Sequence, residues 1–308
     1  MKYIFGPVPS RRLGLSLGVD IVPLKTCTLS CIYCQVGKTP NPTLTRREYI
    51  PVKEVLEELE SHIKSGVKTD WVTFSGSGEP TLNSGIGDIL RGIKDMTDIP
   101  VCVITNGTLL WDPQVRRDIS LADAVMPSLD SALEDSYSTL CRPHPDLKVG
   151  RIIEGLAQFK KEYQGMLWLE IMIVSGINDT PEELDALRNA VRKIKPDAVQ
   201  LNTVARPPVE ASAKPLTLKR LEEIKEYFGG TTEIIASFKS NSKKSFPANI
   251  DDVREYLKRR PGKVEDISSA LGIETEETEK IIRQLEDSGE IALKEYFGKR
   301  FWEYKNQE

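Results

Sequence analysis

Apolar residues follow two alternating patterns between about residue 17 and residue 236. Short apolar runs indicate buried strands, whereas apolar positions recurring every three or four residues indicate helices. These patterns predict strands at residues 17–24, 71–75, 101–105, 124–129, 167–174 and 198–204. Because strands that alternate with helices form βα units, we predict a parallel sheet.

The predicted helices fill the gaps between these strands. Residues 52–65 place Val55, Leu59 and Ile63 on one stripe, and Thr180 before Pro181 gives another helix an N-cap. Six βα units fall short of the eight in a closed barrel. We therefore predict an α/β fold with a partial, open (β/α)6 barrel, to which residues 234–238 could add an edge strand.

A second part of the chain follows a polar linker. We predict a barrel over residues 1–238, a linker over 239–249 and a small domain over 250–308. The small domain shows helical patterns at 251–260, 264–271 and 275–288, and then a hairpin about Gly298 and Lys299. This order resembles a winged helix-turn-helix domain, which implies nucleic-acid binding through its recognition helix.

The charge of this small domain argues against nucleic acid. Residues 249–308 hold eleven Lys and Arg against fifteen Asp and Glu, and the helix that would enter a groove begins with four glutamates among residues 274–279. The phosphates of nucleic acid repel a negatively charged helix, and most non-specific affinity for nucleic acid comes from Lys and Arg. We favour a protein-contact or substrate-covering role, with Lys294, Lys299, Arg300 and Lys305 as a minor basic face.

Composition indicates an ordinary soluble protein of 308 residues with a net charge of −4. We find no signal peptide and no apolar run long enough for a membrane span, so we expect a cytoplasmic protein without a membrane partner. Residues 1–47, in contrast, carry seven Lys and Arg against one acid, Asp20. That excess could offset thiolates, attract an anionic substrate or an acidic electron donor, or be solvated loop charge.

Three of the five cysteines lie in one short loop, directly after the first predicted strand. Cys27, Cys31 and Cys34 have the spacing Cys-x3-Cys-x2-Cys. Four thiolates normally hold a [4Fe–4S] cluster, so three would leave one iron open. A structural zinc site is the alternative, and its fourth ligand would come from Cys102, Cys141, His62 or His144. Disulfides are disfavoured in a reducing cytoplasm.

This spacing, with Tyr33 before the third cysteine, resembles the signature of the radical S-adenosylmethionine (SAM) superfamily. The resemblance implies that the open iron binds the amine and carboxylate of SAM, and that an electron from the cluster cleaves SAM to a 5′-deoxyadenosyl radical. It also implies that Tyr33 packs beside adenine. The run Ser77-Gly78-Glu79-Pro80 stands where the family has Gly-Gly-Glu-Pro, whose carboxylate and backbone hold the methionine ammonium.

Further candidates follow the predicted strands, because ligands of parallel sheets bind at the carboxyl ends of strands. Asn106 closes the third strand, Ser128 and Asp130 could bind ribose hydroxyls, and Val174 could face adenine with its backbone. Cys141, on a loop, is a candidate hydrogen-atom donor to a substrate radical. We otherwise identify no catalytic residue.

The opening, from Phe5 to Gly14, resembles a branch of the superfamily often grouped with the wyosine-type tRNA-modifying enzymes. We expect hydrogen abstraction from an unidentified substrate, for which protein and tRNA are the candidate classes, and a reductant of the flavodoxin or ferredoxin type. The alternatives are an activating enzyme for a glycyl-radical partner protein, tRNA-base modification, modification of a small metabolite, and a non-enzymatic iron–sulfur redox sensor whose winged helix reads DNA.

Overall fold

An eight-stranded sheet is the largest element of the computed structural model, which describes residues 2–10, 12–235 and 249–305. Its strands are β1 (Ile4–Ser10), β2 (Gly14–Val19), β3 (Trp71–Phe74), β4 (Val101–Thr105), β5 (Ala124–Pro127), β6 (Met166–Ile173), β7 (Ala198–Thr203) and β8 (Thr232–Ile234). They lie side by side in chain order. β1 is antiparallel to β2, and each later strand is parallel to the one before it.

Helices connect the parallel strands, as the apolar periodicity predicts. They are α1 (Val52–Lys64), α2 (Ile86–Met96), α3 (Pro113–Ile119), α4 (Glu134–Cys141), α5 (Val149–Glu162), α6 (Pro181–Ile194) and α7 (Leu218–Phe228), with a 3₁₀ turn at Pro80–Leu82. Side chains of Asp112, Thr180 and Thr217 cap α3, α6 and α7 by accepting backbone N–H groups. The α/β class with a mostly parallel sheet is confirmed.

One contact across the sheet shows that it curves into an open barrel. Arg12, in the turn between β1 and β2, pairs with Glu170 on β6 and donates to Gln200 on β7 at 2.8 Å. These strands lie far from β2 in the sheet order, so only a curved sheet brings them within reach. Leu13, the residue after Arg12, packs with Cys102 and Met126 in a small apolar cluster separate from the main core. β1 and β8 are the two edges of the sheet.

The bounds of several strands differ from prediction. β2 ends at Val19, not residue 24, although the next N–H, that of Asp20, still donates to the Tyr3 carbonyl just before β1 at 2.8 Å. β5 ends at Pro127, not residue 129. β1 was not predicted, since Gly6 and two prolines interrupt its pattern; an edge strand tolerates them. β8 lies at 232–234, while residues 236–238 of the predicted edge strand lie outside the described residues.

The last part of the chain forms a separate small core. α8 (Ile250–Arg259), α9 (Val264–Leu271) and α10 (Thr275–Asp287) precede the antiparallel strands β9 (Ile291–Tyr296) and β10 (Lys299–Tyr304). The hairpin turns at Phe297 and Gly298, one residue before the predicted position. Asn249 caps α8, and the rest of the predicted linker lies outside the described residues. The winged-helix assignment and the domain boundaries stay predictions.

This C-terminal module, residues 249–305, contacts the barrel at two places. Its α9 packs against the edge strand β1. At the other side, the Tyr296 hydroxyl donates to the carbonyls of Val204 and Ala213, at 3.4 and 3.2 Å, in the loop after β7. Arg206 of the same loop lies buried beside Tyr256 of α8. Among the described residues, no helix is long and apolar enough to cross a membrane.

Candidate cluster and cofactor site

The three clustered cysteines lie on the loop that follows β2, at the carboxyl end of the barrel. Cys27, Cys31 and Cys34 are each partly exposed, and the first two also pack against the main core. Burial of its sulfur, together with the nearby charges of Glu79, Cys31 and Cys34, raises the pKa of Cys27 to about 12. A metal that binds this thiol must therefore displace its proton.

The donors around these sulfurs fit a thiolate-bound cluster. The Lys25 ammonium donates to Cys34 Sγ, and the Asn106 amide donates to Cys27 Sγ, both at 3.5 Å. Such donors stabilise the negative charge that a sulfur carries as a ligand. The loop thus offers three thiols, and those of Cys27 and Cys34 receive hydrogen bonds from these two side chains.

In the part of the chain that the structure describes, no set of side chains forms the four-ligand site that a structural zinc ion requires. There, no three His, Cys, Asp or Glu side chains converge as one metal ion requires. Cys102 is buried in the separate cluster inside the barrel, and the His144 imidazole lies near Asp146. A [4Fe–4S] cube distributes its thiolates over separate irons, so they need not converge on one point.

Backbone hydrogen bonds hold the cysteine loop against the segment that ends α4. Ser30 N donates to Cys141 O and Ile32 N to Leu140 O, both at 3.0 Å, while the His144 N–H donates to Thr28 O. The loop therefore runs as one side of a short antiparallel bridge. This pairing holds the cysteine loop against the end of α4.

Glu79 lies in the turn after β3, close to the first cysteine. Its Oε1 accepts hydrogen bonds from Thr81 N, Thr81 Oγ1 and Thr105 Oγ1, and its Oε2 accepts the Asn106 N–H at 2.7 Å. Glu79 is 2% exposed. Burial raises the pKa of Glu79, while these hydrogen bonds oppose the rise. The carboxylate is therefore held rigidly at the carboxyl ends of β3 and β4.

The backbone around Glu79 packs tightly against the residues that lead into the cysteine loop. A Cβ on Gly78 would lie 2.0 Å from the Thr26 carbonyl oxygen, and the Glu79 N–H donates to that oxygen at 2.9 Å. Ser77, which replaces the family's first glycine, donates its N–H and hydroxyl to Asp20 Oδ2 at 3.0 and 2.5 Å. Close approach thus occurs at Gly78, and the Ser77 side chain is held by Asp20.

Asp130 forms the centre of a second, buried group. Its Oδ2 accepts hydrogen bonds from the Tyr33 hydroxyl and, at 3.9 Å, from the Cys141 thiol, and its Oδ1 accepts the Met172 N–H. Cys141 also hydrogen-bonds Cys31. Burial raises the pKa of Asp130 to about 6. Tyr33, Asp130 and Cys141 therefore lie together beside the cysteine loop.

The structure brings most of the predicted site residues together and shows which groups their polar atoms contact. Asp130, predicted to bind ribose, points to Tyr33 and the backbone of β6. Val174 is fully buried, and its N–H, predicted to face adenine, donates to Asn178 Oδ1 at 2.7 Å. Ser128 is partly exposed after β5 and donates its N–H to Thr105 O. The assignment of these residues to the cofactor stays a prediction.

Three residues near the site were not singled out from the sequence. Asn178 donates to the carbonyls of Asp130 and Met172, Asp20 holds Ser77, and Lys25 contacts Cys34. Of the three, only Lys25 could have been identified from its position in the sequence, because it lies two residues before the first cysteine. The other contacts join segments that are distant in sequence, so no local pattern could identify them.

Several of the basic residues near the cysteines contact other groups of the protein. Lys2 pairs with Glu54, Arg12 with Glu170 and Arg46 with Asp118. Lys25 contacts Cys34 and the Gly37 carbonyl. The contact of Lys25 with Cys34 favours the first of the roles predicted for this basic excess, which is to offset thiolate charge.

Known proteins similar to this chain were found by sequence and by structure. The model of the radical SAM superfamily matches residues 21–191. A UPF0026 protein of Methanocaldococcus jannaschii is 34% identical over 98% of this chain and 96% of its own length. A protein of Brachyspira hyodysenteriae named GTPase Obg is 37% identical over 94% of this chain, which spans 43% of that relative. The complete nucleotide-binding run Gly-x4-Gly-Lys-Ser/Thr is absent from this sequence.

Solved structures share the fold at low sequence identity. A radical SAM methyltransferase from Sphaerobacter thermophilus superposes with a TM-score of 0.55 at 16% identity, over 74% of this chain and 68% of that one. Streptococcus suis SuiB, bound to precursor peptide SuiA, gives 0.54 at 16% identity, over 70% and 48%. The match to the family model and the shared fold both agree with the spacing of the three cysteines in the loop. The chain belongs to the radical SAM superfamily, and its cofactors are a [4Fe–4S] cluster and S-adenosylmethionine.

Proposed function

We propose that this protein is a radical SAM enzyme in which Cys27, Cys31 and Cys34 hold the cluster and Glu79 binds the methionine ammonium of SAM. When bound, these groups supply a 5′-deoxyadenosyl radical that abstracts hydrogen from the substrate. One observation carries the proposal: Asn106 donates its N–H to Glu79 and its side-chain amide to Cys27. A single residue thereby joins the proposed SAM carboxylate to a proposed cluster ligand.

The hydrogen bonds of Glu79 support its role. Among the described residues, Oε1 accepts three donors whereas Oε2 accepts one, the Asn106 N–H. An ionised carboxylate has about four acceptor positions, two on each oxygen. Oε2 therefore retains capacity for one more donor, and an ammonium supplies a charge-assisted one. Burial makes that bond stronger than it would be in water.

The features of the C-terminal module favour an enzyme over a redox sensor that binds DNA. Its α10 begins with Glu276 and Glu277 in the first turn and exposes both. Its hairpin instead contacts the loop after β7 through Tyr296, at the end of the barrel where the cysteine loop lies. We assign the module a substrate-covering role at that end.

Anaerobic reconstitution tests the proposal. Wild-type protein supplied with iron and sulfide should bind about four irons per chain and, once reduced, form 5′-deoxyadenosine from SAM. Cys31→Ala should lose both properties. Cys102→Ala is the matched control, because Cys102 is a buried cysteine in the separate cluster inside the barrel. Cleavage by Cys31→Ala at the wild-type rate, or one tightly bound zinc in the wild type, would contradict the proposal.

A further inference from the structure

The positively charged ammonium of Lys25 lies beside the sulfur of Cys34. Its Nζ donates to Cys34 Sγ at 3.5 Å and also to the Gly37 carbonyl oxygen. The side chain thus spans the cysteine loop from its beginning to the residues just after its third cysteine. Lys25 is only partly exposed, so the ammonium is incompletely screened by water.

Two backbone features build this contact. Lys25 has φ 65°, in the left-handed region that residues with a Cβ seldom adopt, and its N–H donates to Ser77 O at 2.8 Å. Gly37 has φ 104°, and a Cβ there would lie 3.3 Å from the Lys25 Cε. A side chain at residue 37 would crowd the lysine stem. Strain of this kind persists where the surrounding structure enforces it, often at functional sites.

The group that donates a hydrogen bond to Cys27 differs in charge from the one that donates to Cys34. Asn106 donates a neutral amide to Cys27 Sγ, whereas Lys25 donates a full positive charge to Cys34 Sγ. Hydrogen bonds to cluster sulfurs and the net charge around a cluster are two of the factors that set its reduction potential. Lys25 combines both factors at one ligand.

We propose that Lys25 is a positioning residue that raises the reduction potential of the cluster through Cys34. The inference rests on the proposed function, because it requires the cluster to be held by Cys34. Reduction adds one electron, supplied by a low-potential donor of the flavodoxin or ferredoxin type, and makes the cluster more negative. An ammonium beside a ligating sulfur stabilises that reduced state more than the oxidised state. Lys25 therefore makes electron delivery to the cluster easier.

The test measures the midpoint potential of the reconstituted cluster in full-length protein. Wild type, Lys25→Met, Lys25→Arg and Lys38→Met are loaded anaerobically, their iron is counted, and each is titrated with dithionite and mediators while the reduced cluster is followed by its EPR signal. Lys38→Met is the matched control. It removes one positive charge from an exposed lysine four residues after Cys34.

We expect a more negative midpoint for Lys25→Met, a midpoint close to wild type for Lys25→Arg, and no shift for Lys38→Met. Equal midpoints in fully loaded wild type and Lys25→Met overturn the inference, as does an equal shift in Lys38→Met. If Lys25→Met binds less iron than wild type, Lys25→Gln is measured in its place, because glutamine is an uncharged hydrogen-bond donor. A midpoint potential for Lys25→Gln equal to that of wild type would then overturn the inference. Absence of a [4Fe–4S] signal from the wild type would instead overturn the proposed function.

Discussion

The Asn106 N–H donates to the Glu79 carboxylate at 2.7 Å, and this bond joins the end of β4 to the turn after β3. Both residues lie beyond the ends of their strands, where parallel sheets bind ligands. The Asn106 side chain reaches onward to Cys27. A change at Glu79 is therefore expected to affect both the cofactor and the local fold, and two measurements can separate these effects.

Glu79→Ala should weaken SAM binding at least tenfold, about 1.4 kcal/mol, because it removes the proposed partner of the ammonium. It should also lower the free energy of unfolding by about 2 to 4 kcal/mol, since buried donors of Thr81, Thr105 and Asn106 lose their acceptor. Anaerobic calorimetry measures the affinity, and the iron count should stay at the wild-type value.

Thr81→Val is the control for Glu79→Ala. It removes one hydroxyl bond to the carboxylate but keeps the charge. We expect a loss of about 1 kcal/mol in stability with SAM affinity near wild type. Equal losses of SAM affinity in the two variants would show that packing, and not the carboxylate, determines binding.

Gly78→Ala should disturb the approach of the Glu79 turn to the cysteine loop. The added Cβ would lie 2.0 Å from the backbone oxygen of Thr26, so one of the two segments must move. We expect a loss of roughly 2 kcal/mol or more in unfolding free energy, together with weaker SAM binding. Gly150→Ala is the control, because Gly150 lies in α5 with no atom within 4 Å of an added Cβ. A Gly78→Ala protein as stable as Gly150→Ala would contradict the packing described.

Arg12→Ala should destabilise the barrel by about 3 to 5 kcal/mol, the usual effect of removing one member of a largely buried ion pair. The side chains of Arg12 and Glu170 are 12% and 17% exposed. Lys2→Ala breaks an exposed pair with Glu54 and should cost less than about 1 kcal/mol. Urea unfolding of both variants measures the difference, and equal costs would argue against a buried contact across the barrel.

Asp130 predicts a specific dependence of stability on pH. Burial raises its pKa from 3.8 to about 6, so the folded protein retains this proton at pH values where the unfolded chain has lost it. Its contribution to stability is fully present below about pH 4 and is lost as the pH rises to about 6. The loss is on the order of 3 kcal/mol.

Asp130→Asn cannot ionise and should lack this dependence. The stability of the variant relative to wild type should therefore rise between about pH 4 and pH 6, with no further change above that range. Urea unfolding of iron-free protein at several pH values checks the sign. A difference between the two proteins that stays constant with pH would show that Asp130 does not carry this titration.

Local patterns in the sequence predicted six of the seven parallel strands, β2 to β7, and the cysteine loop, because each depends on neighbouring residues. The contact between Arg12 and Glu170 across the barrel could not be predicted, since the two residues are 158 positions apart. Nor could the orientation of Asp130, which faces Tyr33 and the Met172 N–H. Position after a strand indicated that Asp130 belongs to the site, but only the tertiary contacts determine which group its carboxylate meets.

The two contacts of the C-terminal module have a consequence for how the protein unfolds. α9 covers β1 at one edge of the sheet, and Tyr296 holds the loop after β7 near the other. Separation of the module from the barrel would uncover the edge strand β1 and free the loop that carries Arg206. We therefore expect module and barrel to denature in a single cooperative transition, although each has its own core.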